Sequence, residues 1–155
     1  MTESREEGPG GATPAGEARG ARRRARVLVV EDDPASRELV AALLEEAGCQ
    51  VLTAEAADIG LALATAERPD LILMDVQLPG LTGYAATRTL KAGPATAAIP
   101  VVALTARAML GSESEARDAG CDAFLAKPFD VEVFRDTLRR FLPGGLRGPE
   151  PPGGR

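Results

Sequence analysis

Four groups of polar residues in this 155-residue chain could do chemistry, and each directly follows a short apolar run. Glu31-Asp32-Asp33 follows Arg26–Val30, Asp75 follows Leu71–Met74, Thr105 follows Pro100–Leu104, and Lys127-Pro128 follows Ala123–Ala126. Carboxylates crowded together repel one another unless a cation neutralises them. An all-oxygen donor set with open positions suits Mg²⁺, which prefers octahedral geometry and keeps several of its waters. A carboxylate can also be a nucleophile toward phosphorus. Phosphoryl transfer needs such a nucleophile, a divalent ion, and cationic or hydroxyl donors for the equatorial oxygens. Glu31, Asp32, Asp75, Thr105 and Lys127 supply those types. Each has a plainer reading when taken singly. Asp75 is as readily a turn or cap residue, Asp33 before Pro34 an N-cap, Thr105 a strand-end hydroxyl, and Lys127-Pro128 a surface turn. Their recurrence at successive strand ends gives the functional reading its weight.

The elements that must position them are legible as an alternation. Strands are expected at 26–30, 50–53, 71–74, 100–104 and 123–126, where short apolar runs suit buried strands. Helices are expected at 34–47, 56–67, 84–91 and about 109–119, with a last helix capped by Asp130. Pro34 suits a first helical turn, while Gly48 and Gly120 suit positions just past helix ends. Leu39, Leu43, Leu44 and Ala47 fall at helical spacing, Ile59, Leu61 and Leu63 are candidate core positions, and the last helix carries Val133, Phe134, Leu138, Phe141 and Leu142. Strand–helix alternation with short connections specifies an α/β domain whose parallel sheet is covered on both faces. Ligands of such sheets bind beyond the carboxyl ends of the strands, where the four polar groups lie.

Composition narrows the field. Residues 1–25 and 143–155 are Gly/Ala/Glu/Arg-rich and Pro/Gly-rich respectively and are expected to be disordered tails around a domain at 26–142. No output domain is expected after residue 142. The chain has no histidine, which excludes Ser-His-Asp and Cys-His nucleophile systems and imidazole metal sites. A formal charge of −5 and 3% aromatic residues argue against nucleic-acid backbones and base-stacking platforms. The local exception, Arg22, Arg23, Arg24 and Arg26, reads as a solvated run at the edge of a tail. No stretch approaches the length of a membrane span, and the acidic start has no apolar signal region, so the expected compartment is the cytoplasm. Cys49 and Cys121 carry no disulfide or zinc pattern and read as small core or near-core residues.

Four stretches taken together resemble the receiver domain of two-component response regulators. They are Val-Leu-Val-Val-Glu-Asp-Asp-Pro (27–34), Asp-Leu-Ile-Leu-Met-Asp-Val-Gln-Leu-Pro-Gly-Leu-Thr-Gly (70–83), Ile-Pro-Val-Val-Ala-Leu-Thr-Ala (99–106) and Gly-Cys-Asp-Ala-Phe-Leu-Ala-Lys-Pro-Phe (120–129). The resemblance is to stand-alone receivers of the chemotaxis and cell-division kind. It implies a flavodoxin-like, doubly wound sheet of five parallel strands in the order 2-1-3-4-5. It implies that Asp75 accepts a phosphoryl group, and that Glu31, Asp32, Asp75 and the Gln77 backbone carbonyl hold Mg²⁺. It further implies Thr105 as the switch hydroxyl and Lys127 as the cation paired with Asp75 or its phosphate. Lys127-Pro128 would be a cis peptide, Phe124 would take the aromatic switch position, and Gln77 and Arg107 could gate an attacking water. A histidine kinase or histidine phosphotransfer protein would be the donor and a downstream protein the reader, with pairing through the fourth and fifth helices as an option. The chain departs from the pattern in having Glu31 rather than Asp first in the acidic pair, and Phe124 where many relatives have Tyr. A phosphatase of the haloacid-dehalogenase type also uses a strand-end Asp, but it wants a second Asp where this chain has Gln77. A receiver-like module that is never phosphorylated is the remaining alternative.

Overall fold

A computed structural model of the chain describes residues 24–106 and 112–142. Arg22, Arg23, Arg107, the expected helix start near Met109, and the tails apart from Arg24 and Ala25 lie outside these residues. Five strands, β1 (Arg26–Val30), β2 (Gln50–Ala54), β3 (Leu71–Asp75), β4 (Val101–Thr105) and β5 (Ala123–Ala126), are separated and followed by helices. The helices are α1 (Pro34–Glu46), α2 (Ala57–Glu67), α3 (Gly83–Ala92), α4 (Ser112–Ala119) and α5 (Val131–Phe141). The sheet is parallel throughout and runs β2-β1-β3-β4-β5, the expected order.

Strands buried on both faces read as continuous apolar runs because alternate side chains serve opposite layers. Val27, Val29, Leu71, Leu73, Val102 and Leu104 point to one layer, where α1 adds Val40 and Leu44 and α5 adds Phe134 and Leu138. Leu28, Val30, Ile72, Met74 and Val101 point to the other, under Ala57 and Ala64 of α2 and Ala86 and Leu90 of α3. The helices start where the sequence places caps. Asp33 accepts from the Ser36 N–H at 2.8 Å with Pro34 in the first turn, and Asp130 accepts from Glu132 and Val133. Gly48 and Gly120 take positive φ of 93° and 104°, where a Cβ would be strained.

Three large apolar side chains on the helices, the candidate core residue Ile59 among them, lie outside the core. Leu39, Ile59 and Val133 are exposed at 56%, 41% and 50%. The α1 stripe runs through Val40, Leu44 and the cap residue Ala47, and each helical residue advances the side chain by about 100°, which puts Leu39 on its flank. In α2 the buried face is made of small residues, Ala57, Gly60 and Ala64, with Leu61 and Leu63 only partly covered. A Cβ at Gly60 would lie 2.7 Å from Val30 Cγ2, so this helix lies too close to the sheet for large side chains on its inner face.

Candidate active site at the carboxyl edge of the sheet

Parallel pairing brings the four polar groups level with one another. Val30 is in register with Met74, Asp75 with Leu104, and Thr105 with Ala126. Glu31 and Asp75 therefore leave neighbouring strands side by side, and the Lys127 N–H donates to the Thr105 carbonyl at 2.7 Å. Lys127–Pro128 is cis, as the resemblance implied.

Glu31 extends the β1 ladder by one bond, its N–H donating to the Ala54 carbonyl at 3.0 Å. Its side chain is only 1% exposed; Oε1 accepts from Lys127 Nζ at 2.6 Å and Oε2 from the Asp33 N–H at 3.2 Å. Asp75 is buried as well. Its Oδ1 accepts from the Gln77 N–H at 3.1 Å, and its Oδ2 lies 3.8 Å from Lys127 Nζ. Asp32 is exposed beside them. Glu31, Asp32 and Asp75 each offer a carboxylate oxygen, and these oxygens lie within 4.8 Å of one another. Burial pushes the Asp75 carboxyl up to about 7, helped by a hydrogen bond shared with Glu31 and by that neighbour's charge. The Gln77 N–H and the Lys127 ammonium pull it back down.

All the site residues read from the sequence and described here fall on this edge except Phe124. Lys127 is the one whose contacts differ from expectation. It reaches Asp75, at 3.8 Å, but sits closer to Glu31, at 2.6 Å. Phe124, half-buried on β5, faces a groove of about 250 Å³ lined also by Glu113, Arg117, Asp122 and Arg140.

Two residues that the sequence reading did not single out shape the site. A Cβ on Gly83 would lie 2.1 Å from the Asp75 carbonyl oxygen, so the loop after β3 can return against the back of Asp75 only with glycine there. Thr82, which caps α3 through the Ala85 N–H at 3.1 Å, is the signal that a helix begins at this glycine. Arg37 on α1 donates to the Glu31 carbonyl at 2.8 Å and, more weakly, to the Asp32 carbonyl at 3.4 Å. The two thiols take no part. Both are free, and burial raises Cys49 to about 11, which keeps it protonated and unreactive.

The oxygen-only donor set, the short separations and the surplus of acid over Lys127 fit a hard divalent cation. Residues 27–139 match the family model for the response regulator receiver domain. Protein PilH of Pseudomonas aeruginosa is 40% identical over 120 residues, covering 77% of this chain and 99% of PilH. The polar-differentiation response regulator DivK of Brucella anthropi is 40% identical over 116 residues, covering 75% of this chain and 94% of DivK. Among solved structures, the receiver domain of a sensor histidine kinase from Pseudomonas aeruginosa, with a magnesium ion coordinated in its active-site cleft, aligns with a TM-score of 0.72. That match has 35% identity and covers 76% of this chain and 97% of the other. Chemotaxis protein CheY4 of Vibrio cholerae aligns equally well, with a TM-score of 0.72 and 32% identity over 77% of this chain and 99% of its own. Strand order, site composition and these matches agree, and the chain belongs to the response regulator receiver domain family.

Proposed function

We propose that this protein accepts a phosphoryl group on Asp75 from a histidine kinase or histidine phosphotransfer protein and signals through phosphate-dependent contacts with another protein. The observation that carries this reading is the convergence of Glu31, Asp32 and Asp75 around one lysine at the carboxyl edge of the sheet. Glu31, Asp32, Asp75 and the Gln77 backbone carbonyl would hold Mg²⁺. When bound, the ion supplies positive charge for the oxygens of the transferring phosphoryl group. An Asp75 carboxylate oxygen attacks phosphorus, the donor's P–N bond breaks, and the leaving imidazole keeps the electron pair and takes up a proton. Lys127 and the Thr105 hydroxyl then serve as donors for the new phosphoryl oxygens. The protein is the reactant that carries the group, not an enzyme turning over a separate substrate. Its place is the cytoplasm, where such donors work; among the described residues no helix is long and apolar enough to cross a membrane.

Phosphorylation adds about −1.5 to −2 charge and three acceptor oxygens. Drawing Thr105 and Lys127 toward that charge biases the end of β4 and β5, on which Phe124 sits, and so the groove between α4 and α5. That groove is the surface for a reader or for a second copy of the chain. On the donor side, a groove of about 510 Å³ lined by Leu39, Leu43, Pro128, Phe129 and Val131 opens beside Lys127. Exposed Leu39 and Val131 there offer a phosphodonor apolar surface next to Asp75. The reading is tested by adding Mg²⁺ and beryllofluoride while following amide resonances. Shifts are expected around Asp75, Thr105 and Lys127 and on into Phe124. Without any response the chain would be a receiver-like module that is not phosphorylated, and steady hydrolysis of a small phosphate ester would make it a phosphatase.

A further inference from the structure

We propose that Arg37 is a positioning residue for the acidic pair, holding the backbone of Glu31 and Asp32 so that their carboxylates face Asp75. The inference deepens the phosphoacceptor reading and rests on it. Strand β1 ends at Val30, and α1 starts at Pro34, so the chain passes from strand to helix within Glu31, Asp32 and Asp33. The Glu31 N–H is satisfied by the Ala54 carbonyl of β2. Its own carbonyl is met by a side chain from α1: Arg37 Nη1, at 2.8 Å, which also lies 3.4 Å from the Asp32 carbonyl. Other ties across this turn are local: the Asp33 N–H to Glu31 Oε2 at 3.2 Å, the Ser36 N–H to Asp33 Oδ2 at 2.8 Å and the Arg37 N–H to the Asp33 carbonyl at 2.9 Å.

The choice of acceptor matters. A guanidinium among acids would ordinarily pair with a carboxylate, often through two parallel hydrogen bonds. Arg37 Nη1 instead meets backbone carbonyls, and the Glu31 and Asp32 carboxylates stay with the cluster at Asp75. Fixing the carbonyl side of a peptide fixes where the side chain leaves it. A charge-assisted bond at the two positions that carry the acids is therefore a geometric constraint on the site.

The sign of one effect separates this role from simple electrostatics. Removing a cation beside a cation site should tighten Mg²⁺ binding if Arg37 acts only through its charge. If it positions the carboxylates, removing it should weaken binding. Calorimetric titration of the full chain with MgCl₂ is compared for wild type, Arg37→Met, Arg37→Lys and Arg135→Met; Arg135 pairs with Glu46 at 3.5 Å and its loss is a charge control. The expected result is affinity weakened about tenfold in Arg37→Met, the size found when groups that orient metal ligands are removed. Arg37→Lys, keeping the charge and one donor group, should fall between it and wild type, and Arg135→Met should match wild type. Melting temperatures without metal should stay close together. Affinity in Arg37→Met equal to or tighter than wild type overturns the proposal, as do equally weak Met and Lys variants with lowered melting temperatures. Wild-type protein that binds no Mg²⁺ overturns the phosphoacceptor reading itself and this inference with it.

Discussion

Two lysines at opposite edges of the sheet show how differently a partly buried charge can be used. Lys91, near the end of α3, donates to the Ile99 carbonyl at 2.8 Å, the Ala97 carbonyl at 3.4 Å and Asp122 Oδ2 at 3.0 Å. The same Asp122 oxygen accepts the Val101 N–H at 2.8 Å, so the entry to β4 and the approach to β5 are tied at one point. One cation there meets one carboxylate, and the remaining bonds go to backbone. Lys127, at the carboxyl edge, faces Glu31 at 2.6 Å and Asp75 at 3.8 Å, with the Asp32 carboxylate completing the cluster. Negative charge is left over there, and burial makes leaving it uncompensated costly. A balanced pair closes a loop, whereas an unbalanced cluster in the interior is a place held ready for another cation or a reacting group.

Substitutions can break that comparison, beginning with the largest effect. Asp75→Asn removes the proposed nucleophile and should abolish labelling by acetyl phosphate, read as loss of the mass adduct, while Asp122→Asn at the other edge should label normally. Lys127→Met should slow labelling by about 100-fold, the scale seen when one donor to a developing oxyanion is lost. Lys91→Met should leave the labelling rate unchanged and lower unfolding free energy by about 1 kcal/mol, because the part-buried Ile99 carbonyl loses its donor. Denaturant titration alongside the labelling rate separates the two lysines.

The pH dependence sharpens the contrast further. The Asp75 carboxyl is raised to about 7 in the folded protein, so the folded state binds a proton that the unfolded chain releases near pH 4. Stability from this group is therefore full below about pH 4 and lost as pH rises to about 7. Metal-free protein should become less stable across that window, as followed by urea midpoints, and Asp75→Asn should flatten the slope. The smallest effect on chemistry is expected from Thr105→Ala. It should label nearly as well as wild type yet lose part of the phosphate dependence of partner binding. Coupling between two sites is typically about 1–3 kcal/mol, and partner affinity measured with and without phosphate gives its change.

Much of this was legible in the chain because the fold's punctuation is local. Buried parallel strands must be apolar on both faces, so β1, β3 and β4 announced themselves, and Asp33, Asp130, Gly48 and Gly120 marked helix ends through their own backbone chemistry. The site followed, since acids, hydroxyl and lysine all sit at strand ends. What escaped depends on distance of approach. Core positions were read from size, but α2 buries Ala57, Gly60 and Ala64 because it lies against Val30, and no periodicity of large residues reveals that. Gly83 was similarly silent until the Asp75 carbonyl was seen behind it. The pairing of Lys127 with Glu31 joins residues 96 positions apart. Arg37 acts on carbonyls, which carry no mark in a sequence.

Asp75 is the proposed phosphoacceptor. Peptide mapping by mass spectrometry after incubation with acetyl phosphate, with and without Mg²⁺, tests it most directly. One phosphoryl adduct is expected, on the peptide containing Asp75, formed with Mg²⁺ and absent after chelation. An adduct on another residue, or none at Asp75 in the presence of Mg²⁺, would contradict it.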